Sequence, residues 1–321
     1  MSDFTMLEAI IDKMIAENVE TALDGFKPSE ESVRDAVEVA VSAAMQEFEK
    51  RAPRKLTVKY PNKTVKLGDE VLHEKFDDLL SILAAGKHVW AFGPAGTGKS
   101  VLARQLAKAM DASFHYTGAI MDEYAGLKGF IDANGTKHGT EFTRALDDMN
   151  EGKEVVMCFD ECDGSVPEVM VTLNNLLSGG VVECMGTLYE YKENLHIIAC
   201  GNTNGRGGSS EYTRSILDQA TLDRFTFVPI DYDEGIESAI AAGDDSLVEF
   251  VRALRKSVKN TGTDLLVTYR TTEKLRDLGE VLGKRKALDY SLKAKLDEGD
   301  VNVLRSDMAL FGNAWFDAFE W

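Results

Sequence analysis

The stretch HVWAFGPAGTGKSVLARQLAKAM, residues 88–110, decides the fold. Its opening HVWAF is an apolar run of strand length. SVLARQLAKAM places apolar residues at i, i+3 and i+4, the period of an amphipathic helix. Between them lies GPAGTGKS, Gly93–Ser100. Gly93, Gly96 and Gly98 allow backbone turns that a Cβ would oppose, with Pro94, Ala95 and Thr97 between them. The amides of such a loop, continued by Val101 in the helix, hold phosphate oxygens. Lys99 is placed to reach β and γ phosphates, and the Ser100 hydroxyl to ligate Mg²⁺. A strand before the loop and a helix after it are the context the motif requires, so the stretch implies binding of a nucleoside triphosphate.

Working outward, a second apolar run, Val155–Asp160, reads as a buried parallel strand ending in Asp160–Glu161. Ligands of open α/β sheets sit beyond the carboxyl ends of the strands. There Asp160 would act on Mg²⁺ and Glu161 would polarise an attacking water as general base. A third run, LHIIAC, leads into GNTNGRGG. Asn202 just past it, or its rival Asn204, would orient that water and sense the γ phosphate. Arg224 in ATLDRFTF and Arg270 in VTYRTTEKL supply guanidinium groups suited to the spread charge of phosphoryl transfer.

The expected fold class is α/β: a P-loop parallel-sheet core with a helical C-terminal lid and a small, mainly helical N-terminal region. Candidate strands are His88–Phe92, Ser113–Thr117, Val155–Asp160, Leu195–Cys200 and Phe225–Pro229, with helices Ser100–Met110, Thr140–Asn150 and Val166–Leu177 between them. The divisions fall at 1–68, 69–230 and 231–321, the last showing helical periodicity alone in Ser246–Lys259, Thr271–Leu282 and Val301 onward. The first part reads as helices over 4–24 and 29–50, then a strand-like LTVKYPNKTVKL broken by Pro61. Its first fifty residues carry twelve acids against four bases, as a solvated appendage or docking element would.

The chain has 321 residues, 44% hydrophobic and 28% charged, and a net charge of −18. No apolar run is long enough to span a bilayer, and the acidic amphipathic N-terminus does not resemble a signal peptide. The charge offers no basic footprint for duplex DNA and makes a protein partner the better expectation. Cys158, Cys162, Cys184 and Cys200 lack CxxC spacing and an accompanying His pair, which suits buried free thiols in a cytoplasm rather than zinc.

In this order the motifs resemble the AAA+ ATPases over roughly 70–290: GPAGTGKS as Walker A, VVMCFDE as Walker B, ACGNT as sensor 1, LDRF as the arginine-finger segment and YRTTEKL as sensor 2. Within them the chain is most similar to the branch of MoxR, CbbQ and CobS. LNNLLSGGVVECMGTLYEYKENLHIIACGN resembles that branch's helix-2 insert, and NTNGRGGSSEYTRSILDQATLDRF its run from sensor 1 to the arginine finger. EFTRALDDMNEGK ahead of Walker B is a weaker match. Ser100 replaces the commoner Thr, and YRTT departs from the Ser-Pro that often precedes the lid arginine.

The resemblance implies ATP with Mg²⁺ and a homo-oligomeric ring, usually a hexamer, with nucleotide at subunit interfaces. Lys99, Ser100, Asp160, Glu161 and Asn202 would act in cis and Arg224 in trans. Arg214 or Arg206 would be a further interfacial arginine, and Arg270 would serve either side. It also implies a remodeller of a protein client, often one with a von Willebrand A domain, in a bacterial cell or a phage-infected host. The competing expectation is a nucleic-acid motor or restriction-type NTPase subunit, which the charge disfavours. The expected client-facing elements are the hairpin Val181–Tyr191, with Tyr189, and Tyr124–Phe130. The aromatic tail LFGNAWFDAFEW would cap its own helical bundle or dock a partner.

Overall fold

A computed structural model describes residues 39, 41–42, 57–59, 64–66, 70–208, 212, 214–310 and 312–321. The helical readings over 4–24 and 29–50 lie outside the described residues, apart from 39 and 41–42. The strand-like stretch around Pro61 forms β1 (Thr57–Lys59) and β2 (Thr64–Lys66), an antiparallel pair.

The core follows as α1 (Phe76–Ala84), β3 (His88–Phe92), α2 (Lys99–Met110) and β4 (Ser113–Thr117). A π-helical turn, Glu123–Lys128, leads to the small hairpin β5 (Phe130–Ile131) and β6 (Lys137–His138). Next come α3 (Glu141–Asn150), β7 (Val155–Phe159), α4 (Pro167–Thr172) and α5 (Asn174–Leu177), the last two separated by Leu173 alone. The hairpin β8 (Val181–Cys184) and β9 (Thr187–Glu190) precedes β10 (Leu195–Gly201), α6 (Gln219–Leu222) and β11 (Phe225–Pro229).

The five long strands make one parallel sheet in the order β11-β3-β10-β7-β4. The continuous apolar runs of the three inner strands β3, β7 and β10 follow from burial on both faces, whereas the edge strands β4 and β11 are partly exposed. Val155, Met157 and Phe159 enter one core with Trp90, Phe142 and Ile197. Val156 and Cys158 enter the other with Leu102, Leu106 and Ile198. The parallel register, which pairs Phe92 with Gly201 and Phe159 with Ala199, aligns the carboxyl ends of β3, β7 and β10, where the phosphate-loop sequence, Asp160 and Asn202 emerge. The α/β parallel-sheet expectation and its five strands hold, with boundaries shifted by one residue at β7 and β10.

The C-terminal region is helical: α7 (Glu234–Ile240), α8 (Asp245–Thr261), α9 (Tyr269–Leu282), α10 (Lys284–Ser291), α11 (Glu298–Met308) and α12 (Ala314–Ala318). Three of these, α7, α10 and α12, are too short to show a helical period in the sequence. The aromatic tail packs into this region's own core. Trp315, Phe316 and Phe319 are buried against Phe250 and Leu254, and the Trp315 indole donates to Asp244 at 2.9 Å. Trp315→Ala should therefore cost about 3–5 kcal/mol in urea unfolding. A loss under about 1 kcal/mol, the size of an ordinary surface effect, would detach the tail from the core. None of the described helices is long and apolar enough to cross a membrane.

Candidate active site

The loop after β3 is built as its glycines demand. Gly93, Gly96 and Gly98 have φ of 154°, 73° and 84°. A Cβ at Gly93 would lie 1.9 Å from the Ile230 carbonyl oxygen, and one at Gly96 would lie 2.6 Å from Thr268 Cβ, the residue preceding α9. The loop is thus clamped between the end of the sheet and the helical C-terminal region. Tyr212 receives the Ala95 amide at 3.1 Å, and the Tyr232 hydroxyl donates to the Ala95 carbonyl at 2.9 Å. Thr97 is buried and bonds to Pro94 O at 3.1 Å. Gly98 caps α2, whose first turn directs free amides into the cleft.

Lys99 is buried, and its Nζ donates to Gly93 O, Pro94 O and Asn202 Oδ1 at 2.8, 2.9 and 3.1 Å. Burial pushes its pKa below the usual lysine value, opposed by Cys200, Asp160 and Asp163 nearby. Ser100 Oγ donates to Asp160 Oδ2 at 2.6 Å, and the Tyr116 hydroxyl donates to the same oxygen at 3.0 Å. Burial and that bond push the Tyr116 phenol up to about 12, so it stays a donor at neutral pH. A hydroxyl beside a carboxylate is the hard oxygen set that Mg²⁺ shares with nucleotide phosphates. Among the described residues there is no cluster of three His, Cys, Asp or Glu side chains able to hold a metal alone.

Glu161 follows in the left-handed region, φ 48°, and is exposed. Lys99, Ser100, Asp160, Glu161, Asn202 and Arg270 line one cleft of about 490 Å³ with the glycine loop and Val101. Arg270 enters it from the N-terminal end of α9 in the same chain. Asn204, the rival to Asn202, lies instead on a separate depression with Arg206, Phe92 and Phe227. Arg224 lies at the other end of the sheet, before β11. Its Nε donates to Asn174 O at 2.9 Å and Ser178 Oγ at 2.7 Å, and its guanidinium also bonds to Ala220 O. Arg214 Nε lies 3.2 Å from Asp163 Oδ1 within the same chain.

Several cleft residues carry no sequence signal. Val71, His73, Gln105, Ile236 and Ile240 also line the cleft. Single apolar or polar residues from three distant segments have no shared motif. Tyr116 could have been suspected from its place at the end of a strand beside β7.

One expectation is corrected. Tyr189 does not face outward: it is buried beside Val182 and Cys184, and its hydroxyl donates to Asp147 at 2.7 Å. Hairpin alternation explains this, since Val182 and Tyr189 are paired on one face while Glu183 and Leu188 are paired on the other. Tyr124 and Leu188 are exposed, 59% and 60% accessible. The four cysteines are buried free thiols.

Residues 88–225 match the family model described as AAA domain (dynein-related subfamily). An uncharacterized protein of Staphylococcus saprophyticus is 23% identical over 243 residues, which cover 70% of this chain and 89% of that relative. Another, of Staphylococcus haemolyticus, is 22% identical over 256 residues, covering 73% and 94%. NtrX from Brucella abortus is a structural neighbour at TM-score 0.45 and 15% identity, covering 77% of this chain and 57% of that one. A Thermotoga maritima RuvB mutant gives TM-score 0.36 and 15% identity, covering 77% and 85%.

Proposed function

We propose that this chain, whose residues 88–225 form an AAA domain of the P-loop ATPase class, is a ring-forming motor that hydrolyses ATP between subunits to remodel a protein partner. One observation carries the reading: Lys99, Ser100, Asp160, Glu161 and Asn202 converge on one cleft, while Arg224 is remote from it. Bound Mg²⁺ would neutralise charge on the β and γ phosphates. Glu161 would take the proton of the attacking water, Asn202 would orient that water, and Lys99 would hold the transferred group. Arg224 stands at the sheet's opposite end, so it would serve a neighbouring subunit's site. That separation supports a ring, and the resemblance to MoxR, CbbQ and CobS suggests a hexamer.

The protein-directed reading rests on surface chemistry. Tyr124, Phe130, Ile131 and Leu188 are exposed on the π-helical turn and the two hairpins, and Met121 is exposed just before that turn. A net charge of −18 suits a protein client, such as a von Willebrand A domain protein, better than a phosphate backbone. Phosphate release and particle mass, measured with and without ATP, test the proposal. Turnover with an ATP-dependent rise to ring mass supports it, whereas turnover by a strict monomer would remove the interface role of Arg224. Stimulation by DNA that falls steeply with salt would instead establish a nucleic-acid motor.

A further inference from the structure

Asp163 lies two residues beyond Glu161, is fully buried, and has no place in the motifs that mark the cleft. Its Oδ2 accepts from the Asn202 amide at 3.0 Å, the Thr203 amide at 2.8 Å and Thr203 Oγ1 at 2.9 Å. Its other oxygen faces Arg214 Nε at 3.2 Å. The turn that carries Asn202 is therefore tied by one anion to the segment that carries Glu161. On its far side, Thr203 O accepts from the Trp90 indole at 3.1 Å, which anchors the turn to β3. Gly201 leaves room for this approach, since a Cβ there would stand 3.2 Å from Asp163 Cγ. The tied turn brings Asn202 Oδ1 to Lys99 Nζ at 3.1 Å.

A carboxylate is an expensive choice for holding a buried turn, because its charge must be matched. An amide or hydroxyl would satisfy two backbone donors without that cost. The charge gives stronger, shorter bonds and fixes the distance between two catalytic groups. We propose that Asp163 and Arg214 form a positioning pair that sets Asn202 against the reacting phosphate, making Arg214 a residue of its own subunit's site. This rests on the reading of the chain as an ATPase. Neither residue touches substrate; both act through the Asn202 turn.

The test is steady-state phosphate release and fluorescent-nucleotide binding by Asp163→Asn. The isosteric amide keeps one acceptor but must set its NH₂ against either the turn amides or the Arg214 guanidinium. A lost bond to a charged group should lower kcat by about ten- to a hundredfold, with the ATP KM within about threefold. Unchanged kcat, or KM and kcat falling away together with the melting temperature, overturns the pair. Should Asp163→Asn fail to fold, Arg214→Lys is expected to retain most of the kcat that Arg214→Met loses, and equal loss in both overturns the inference. Mixing Arg214→Met with Lys99→Ala subunits should restore nothing. Recovery would place Arg214 in the neighbour's site instead. A wild-type chain that releases no phosphate defeats the proposed function itself, whereas wild-type turnover with normal Asp163→Asn kcat defeats the pair alone.

Discussion

Glu161→Gln protein is expected to bind ATP as tightly as the wild type and to release phosphate about a hundred- to a thousandfold more slowly, within the range of a lost general base. The substitution keeps the shape of the side chain and removes its proton affinity. The binding contacts lie elsewhere, on the loop amides, Lys99 and the Ser100–Asp160 pair at 2.6 Å. Glu161 is exposed at the cleft and makes no hydrogen bond that holds the loop, so its replacement leaves the phosphate cradle intact. Quenched-flow phosphate release and nucleotide titration separate the two effects. The same variant should hold a client in an ATP-dependent pull-down, since substrate engagement outlasts the missing step. Turnover within threefold of wild type would remove Glu161 as base and move attention to Asp160, its neighbour on the Mg²⁺ side.

The residues that could be read in advance share a property. Each sits where a local pattern and a global position coincide: a glycine loop between strand and helix, or acids at the end of an apolar run. Gly93–Ser100, Asp160 and Glu161 satisfy both, and Ala95–Ser100, Asp160 and Glu161 line the cleft. Asn202 satisfied only position, and Asn204 matched it equally in the sequence. The turn tied by Asp163 separates them, directing Asn202 to Lys99 and leaving Asn204 outside. Asp163 itself was hidden because a lone acid after Asp160–Glu161 reads as surface until burial and three donors are seen together. Tyr189 misled for a related reason. Hairpin residues alternate faces, and the choice of face depends on α3, whose Asp147, 42 residues away in the chain, takes the phenol. The part of the cleft lined by Val71, His73, Ile236 and Ile240 depends on how the helical C-terminal region meets the core, which no local pattern records.

Lys99→Ala should show the reverse of Glu161→Gln, losing nucleotide rather than turnover. Lys99 Nζ already has three oxygen partners within 3.1 Å, so the ammonium is held at the mouth of the loop before any phosphate arrives. Its burial means that phosphate meets a charge largely stripped of water, where charge-assisted bonds are strongest. Removing it should raise the ATP dissociation constant about a hundredfold, the equivalent of about 2.7 kcal/mol. Thermal stability gives the clearest contrast. At ATP a hundred times the wild-type dissociation constant, ligand linkage adds about 2.7 kcal/mol to the wild type, and about 0.4 kcal/mol to a variant bound a hundredfold more weakly. Glu161→Gln should keep the full ATP-induced rise in melting temperature, and Lys99→Ala should lose nearly all of it. The nucleotide-free Lys99→Ala protein should melt close to wild type, because relief from burying an ammonium offsets the three lost bonds. A full ATP-induced shift in Lys99→Ala would mean that the loop amides alone supply the binding and that the lysine belongs to the transition state.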